Sequence, residues 1–456
     1  MFSLRSHARW ALPLTLGLTA VGLAVPTASA TKTVAPVRDD FNGDGYADLA
    51  VGAPNGTVGG QSRAGYVTVM YGGPHGLSTG HRTIISRATA GIPGSPAKNQ
   101  EFGLQLSKGD LDGDGYADLV VGTGSSSADA AVVWGGPHGP AGGTSIHATD
   151  TQTGDFDGDG RLDLAVFRSG FATGDDPIGT TAALWKGPLK RTGAPAAKTP
   201  LDPDHLQYLD VHDGVTGDLN GDGRTDLALT AYCGDGSHCV QLYVSGPSGL
   251  TRVTDFPGGD GTAAIGDLNG DGCDDLVTAF SDDERITVAY GSPSGLGGHD
   301  TWQTYTQNTP GVPGATEEGD RFGASIAVGD ITGDGIDDVA VGAPGENTSE
   351  GVVDVLRGSG SGLTGTGAQA FTQNTAGVPG TAEPYDAFGY TVQLLDINGN
   401  GHADLAAAAP FEDGGNGTVW VLRGQSSGLV TDAALAFGGK AVGAPYAKAG
   451  FGFELK

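Results

Sequence analysis

The sequence predicts an all-β chain: a seven-bladed β-propeller of four-stranded antiparallel blades, its ring closed by the C-terminal strand completing blade one. Three observations carry this prediction. A nine-residue acidic motif recurs seven times, every copy is flanked by strand-like runs, and no helical period is visible. Repeat units of some tens of residues with four short strands each mark a radial β architecture.

The copies span residues 40–48, 110–118, 155–163, 218–226, 267–275, 330–338 and 396–404, at intervals of 70, 45, 63, 49, 63 and 66 residues. In each unit one strand is expected before the motif (102–106, 322–328, 388–394) and a second after it (49–51). A third follows a Gly-rich loop (66–71, 131–134, 240–244, 286–290, 352–356, 419–422), then a Gly/Pro turn such as 72–77 or 291–296, then a fourth. These runs are β-branched and aromatic, and the breaks between them are turn residues. The first unit has no run ahead of its motif, whereas the chain ends on an apolar stretch, 449–456. That stretch is expected to fill blade one.

Composition narrows the function. Asp and Glu number 53 against 24 Lys and Arg, a net charge of −29. Such a surface repels phosphate, which excludes nucleic acid as a partner. Gly is abundant at 82 residues but does not fall at every third position, so collagen is excluded. The 38% of apolar residues arrives in regular blocks, which excludes a disordered acidic tail. Arg5, His7 and Arg9 precede an apolar stretch, 10–25, and an A-x-A site. This reads as a signal peptide, 1–30, cleaved after Ala30. Residues 31–456 then form a single secreted, monomeric propeller domain with no membrane span. Loss of Arg5 and Arg9 takes the charge from −29 to −31. Cys233 and Cys239 fit a disulfide closing a small hairpin; a metal pair is the weaker reading, because no second Cys/His cluster accompanies them. Cys273 is left as a free thiol.

The motif itself is a candidate calcium loop. Positions one, three, five and nine are Asp40, Asn42, Asp44 and Asp48 in the first copy and Asp110, Asp112, Asp114 and Asp118 in the second. The third has Asp155, Asp157, Asp159 and Asp163, and the fourth Asp218, Asn220, Asp222 and Asp226. The fifth has Asp267, Asn269, Asp271 and Asp275, the sixth Asp330, Thr332, Asp334 and Asp338, and the seventh Asp396, Asn398, Asn400 and Asp404. All are oxygen donors, and a hard cation takes six to eight oxygens at about 2.3–2.6 Å. Position seven varies (Tyr46, Tyr116, Arg161, Arg224, Cys273, Ile336, His402), as expected if it offers only its carbonyl. Gly at positions four and six permits the tight backbone. An ordinary turn needs one Asp or Asn, and each close carboxylate pair costs about 4 kcal/mol at an effective dielectric near 20. Up to seven Ca²⁺ sites are expected, the second and third loops binding tightest and 396–404 weakest. An EF-hand is excluded, since position twelve is Val51, Val121, Val166, Leu229, Thr278, Val341 and Ala407.

Phe-Gly at 102–103, 322–323, 388–389 and 451–452, the acidic loop, and Gly-Ala-Pro at 52–54 and 342–344 together resemble the FG-GAP repeat. That repeat builds the N-terminal seven-bladed propeller of integrin α subunits and occurs in many secreted bacterial proteins. The resemblance implies calcium loops on the lower face, four of them in integrins, and a role in cell adhesion. The third, fourth and fifth units lack both dipeptide and tripeptide.

No catalytic constellation is evident. Gly424-Gln425-Ser426-Ser427-Gly428 matches a nucleophile elbow only in spelling and aligns with a hairpin turn, and the His residues form no cluster. The chain therefore reads as a binding module rather than an enzyme. Recognition is expected on the face opposite the loops, in 55–63, 167–180, 232–238, 282–285, 345–350 and 411–415. Phe171, Tyr232 and Phe411 would be anchors there, amid Asp175, Asp176, Asp235 and Glu412. The expected partner is a protein or cell-surface ligand. The alternatives are a calcium-dependent lectin binding a cell-surface glycan, or a polysaccharide-degrading enzyme on a calcium propeller.

Overall fold

The computed structural model describes residues 39–124, 128–173, 176–247, 249–253, 259 and 262–456. The expected signal segment and Asp175 lie outside the described residues, as do the side chains of Phe171 and Asp176. Seven four-stranded antiparallel sheets form the blades of a β-propeller. Each runs from an innermost strand through the acidic loop to a second, third and outermost strand. In blade six these are Ser325–Gly329, Asp338–Ala343, Val352–Arg357 and Thr364–Phe371.

Blade one is assembled from both ends of the described chain. Leu49–Ala53, Tyr66–Met70 and Arg82–Ile85 supply three strands, and Glu454–Leu455 supplies the innermost. Val51 faces Leu455 and Gly52 faces Glu454 in antiparallel register. Lys456 and Ala50 exchange backbone hydrogen bonds at 2.8 and 3.0 Å. The terminal strand is short, but Phe451 ahead of it is fully buried. It packs with Leu49 and Tyr66 of blade one and Ala406 and Val419 of blade seven.

The Phe-Gly dipeptides differ from expectation. They do not begin the innermost strands, which start later, at Leu106, Ser325 and Thr391. Phe102-Gly103 is a turn that plugs the space between blades. Phe102 sits in one apolar cluster with Val67 and Val69 of blade one and Leu119 and Val121 of blade two. Gly103 has φ +93°, and a Cβ there would lie 2.9 Å from the Tyr66 carbonyl oxygen. The close approach of backbone to backbone thus requires glycine. The apolar clusters sit between blades, so each blade is stable only against its neighbours.

Two additions interrupt the grammar. A hairpin, Phe171–Thr173 with Asp176–Ile178, is inserted between the second and third strands of blade three. A helical turn, Pro203–Leu206, joins blades three and four. The reading of Gly424–Gly428 as a turn holds, with Gln425 pairing Gly428 across Ser426 and Ser427. The disulfide expectation does not hold. Cys233 and Cys239 are both thiols, and the strand register sets Cys239 opposite Ala231 rather than Cys233. Burial, together with its hydrogen bond to Cys233, pushes the Cys239 thiol up to about 12.

Ring closure can be tested directly. Ending the chain at Gly443 removes the Phe451 plug and the inner strand, and should lower Tm by about 10 °C or more in thermal unfolding. A pH test addresses the same strand. Burial pushes Glu454 up to about 8, opposed by Lys456 at 3.7 Å and reinforced by Asp213. A carboxyl raised in the folded state makes folding weaker as pH climbs from about 4.5 through 8. Glu454→Gln should therefore flatten that decline and stabilise the protein above pH 7, as read from denaturant midpoints.

Candidate metal centres

The seven acidic loops share one hydrogen-bond pattern. The first-position carboxylate accepts the N–H of the sixth-position Gly in every copy, from Gly45 to Asp40 at 2.7 Å through to Gly401 to Asp396 at 2.9 Å. The fifth-position side chain accepts the N–H of position seven, as from Tyr116 to Asp114 and from Cys273 to Asp271. Such Asx turns tie the loop side chains to the loop's own backbone.

The ninth-position Asp has a different task. Asp48 accepts Phe41 N–H through Oδ2 and Gly72 N–H through Oδ1, both at 2.9 Å. Asp118 does the same for Leu111 and Gly135, Asp226 for Leu219 and Ser245, and Asp275 for Leu268 and Gly291. Gly187, Gly358 and Gly424 donate likewise to Asp163, Asp338 and Asp404. These carboxylates are 0–2% exposed and staple the acidic loop to the end of the third strand. Burial pushes Asp48, Asp118 and Asp275 up to about 7, and Asp163, Asp226, Asp338 and Asp404 up to about 6.

Convergence differs between copies. Ligand-capable oxygens lie within 4.8 Å of one another for Asp110, Asp112 and Asp118, and for Asp155, Asp157 and Asp159. These are the two loops with four Asp. A basic side chain docks on each: Arg191 Nε lies 2.5 Å from Asp112, and Lys186 contacts Asp157 and, at 3.2 Å, Asp159. In the seventh loop Asn398 Nδ2 donates to both Asp404 oxygens, at 3.0 and 2.8 Å. In the sixth, Arg357 lies 3.3 Å from Asp338.

Two roles were not foreseen. Position two is apolar and buried in all seven copies (Phe41, Leu111, Phe156, Leu219, Leu268, Ile331, Ile397), anchoring each loop in the core. Its recurrence in the sequence was the available signal. Position seven is not indifferent either. In six of the seven copies its side chain lies over the fourth-position Gly of the preceding blade's loop: a Cβ on Gly43 would be 2.5 Å from Tyr116, and one on Gly399 2.9 Å from Tyr46. Backbone bonds also link neighbouring loops, Ala117 to Asp40, Thr225 to Asp155, Asp274 to Asp218, Asp337 to Asp267 and Ala403 to Asp330.

On the opposite face, Phe411 is exposed and packs edge-on against Tyr390 at 5.4 Å. Tyr232 is half-buried, its hydroxyl accepting the Gly236 N–H at 2.9 Å. It is thereby tied into its own hairpin. Asp235 is exposed, whereas Glu412 is hydrogen-bonded by Gln373 and pushed up to about 7 by burial.

The FG-GAP repeat model matches residues 35–70, 322–356 and 388–422, and the FG-GAP-like repeat model matches 110–166 and 218–278. The second model covers much of the region where Phe-Gly and Gly-Ala-Pro are missing. The chain is 33% identical over 233 residues to integrin alpha pat-2 of Caenorhabditis briggsae, covering 46% of this chain and 18% of that one. It is 30% identical to integrin alpha-4 of Xenopus laevis over 38% of this chain and 16% of that one. It is 31% identical to phosphatidylinositol-glycan-specific phospholipase D of Mus musculus over 33% of this chain and 18% of that one. The matched segments thus span under a fifth of these relatives.

The two kinds of loop aspartate should respond differently in chelator. Asp275→Ala strands two backbone donors and should cost about 2–5 kcal/mol in urea unfolding. Asp271→Asn, at an exposed position that still accepts the Cys273 N–H, should stay within about 0.5 kcal/mol. Equal losses would show that position nine is no staple.

Proposed function

We infer that this FG-GAP repeat propeller is an exported, calcium-binding module that engages a protein or cell-surface partner through the face opposite its acidic loops. The observation that carries the reading is where exposed aromatic rings lie. Tyr208, Tyr385, Phe411 and Tyr446 are 56, 70, 44 and 42% exposed. Each belongs to a connection between blades or between second and third strands, which strand alternation puts on that one face. Aromatic side chains bring large contact area at low entropic cost and are enriched in binding surfaces.

Calcium belongs to the reading through its donor set. Asp110, Asp112 and Asp118, and Asp155, Asp157 and Asp159, bring hard oxygens close together, as that ion requires. The ion would stiffen the loop belt and so hold the blades that present the opposite face. Export follows from the N-terminal segment, with the mature chain starting at Thr31. Resemblance to integrin α chains favours a protein partner. The phospholipase match covers 18% of that enzyme.

A lectin is the second reading, because exposed Tyr and Phe rings also stack on sugar faces. A glycan and polysaccharide array separates the two, run with the 31–456 chain in calcium and again in EGTA. A blank array, with surface-captured protein partners lost on Tyr385→Ser/Phe411→Ser, supports the adhesion reading. Calcium-dependent glycan signal lost in the same variant would establish the lectin instead. Binding unaffected by that variant removes the face from consideration.

A further inference from the structure

We propose a second kind of cation site, distinct from the nine-residue loops and on the opposite face, in which Asp320, Glu346, Asp354 and Gln307 of blade six hold one hard divalent cation. Asp354 stands on the third strand opposite Val341 and is fully buried. Its Oδ2 accepts Gln307 Nε2 at 3.3 Å, while its Oδ1 is buried with no hydrogen-bond partner. Gln307, on the connection from blade five, is 2% exposed and donates the same Nε2 to Glu346 Oε2 at 3.2 Å. Its Oε1 is also buried without a partner. Glu346 hydrogen-bonds Asp320, whose Oδ2 is held by the Glu317 N–H at 2.7 Å.

Charge is what the site lacks. The charged groups that act most strongly on these three carboxyls are other carboxylates: Glu284, Glu317 and members of the trio. Buried carboxylates persist only with a proton, a basic side chain or a metal ion. Burial pushes Asp354 up to about 7 and raises Asp320 and Glu346 as well. Rotating the Gln307 amide end for end exchanges Nε2 for the partnerless Oε1 without changing its shape. Four protein oxygens would then face one another, and water completes the six to eight that calcium takes.

The repeats contain their own control. The residue fifteen before the Phe-Gly is Gln307 in blade six, Gln373 in blade seven and Arg87 in blade two. Arg87 donates to the Pro93 and Asp129 carbonyl oxygens. Where it supplies a cation, the places of Asp320 and Asp354 are taken by Gln100 and Ala131, the latter facing Val121. In blade seven Asp386 and Glu412 remain, but Trp420 fills the third place and gives its Nε1–H to the Pro379 carbonyl at 2.7 Å. The full trio occurs in blade six, where no Lys or Arg among the described residues pairs with it.

The test counts bound calcium by equilibrium dialysis and elemental analysis of the 31–456 chain. Asp354→Asn/Glu346→Gln and, separately, Gln307→Arg should each bind one calcium fewer than the parent. Asp112→Asn/Asp157→Asn should remove loop calcium independently, so the two sets of losses add. In EGTA, Gln307→Arg should melt about 3 °C or more above the parent, because it supplies the missing charge as Arg87 does. Unchanged calcium in Gln307→Arg overturns the proposal, whether or not the double carboxamide folds. If only the loop variants lose calcium, this site fails alone. If only the blade-six variants lose it, the site stands and calcium binding by the loops fails.

Discussion

The constraint on which the rest of the structure depends is the buried ninth-position aspartate. In each blade one carboxylate, shielded from water, accepts a backbone N–H at the end of the third strand, and in most blades another from the second residue of its own loop. Its burial makes those bonds strong and its loss expensive. It also fixes where the acidic loop ends, which sets the direction in which the other carboxylates of the loop point. The arrangement of the loop carboxylates is therefore a consequence of how the sheet is stapled.

That local unit is incomplete until its neighbours are present. Phe102, Phe322, Phe388 and Phe451 are each fully buried in clusters shared with the preceding blade. The loops interlock in the same sense, side chain over glycine and N–H to carbonyl. An open row of blades would expose one apolar face at each end, and pairing Glu454–Leu455 with Leu49–Ala53 removes both. Closure by a two-residue strand suffices because the Phe451 plug, rather than the ladder, supplies most of the apolar burial.

The two faces of the ring divide the chemistry. One gathers the loop carboxylates, answered locally by Arg191, Lys186 and Arg357. The other carries exposed aromatic rings and, in blade six, carboxylates with no basic partner among the described ion pairs. A rigid disc lets connections on this second face vary in length without disturbing the first, as the inserted hairpin of blade three does.

Much of this was legible in the linear sequence, for a definite reason. The acidic loop is made of residues adjacent in the chain, so alternate Asp and Asn with fixed Gly declare both the turn and its donor set. Seven copies also declare the blade number, and the unmatched ends declare closure. Strand starts were misplaced around Phe-Gly because an apolar residue before a strand resembles the strand itself, and only packing shows it to be a plug. The free thiols of Cys233 and Cys239 go with a strand register, Ala231 opposite Cys239, that spacing along the chain cannot reveal. Position seven looked arbitrary because its contact lies in the preceding blade's loop. Likewise Gln307, Asp320, Glu346 and Asp354 span 47 residues and meet only when strands from one blade receive a connection from another. Sequence alone determined what is local and repeated; tertiary structure decided which distant groups share a low-dielectric space, because that depends on burial across blades and not on order along the chain.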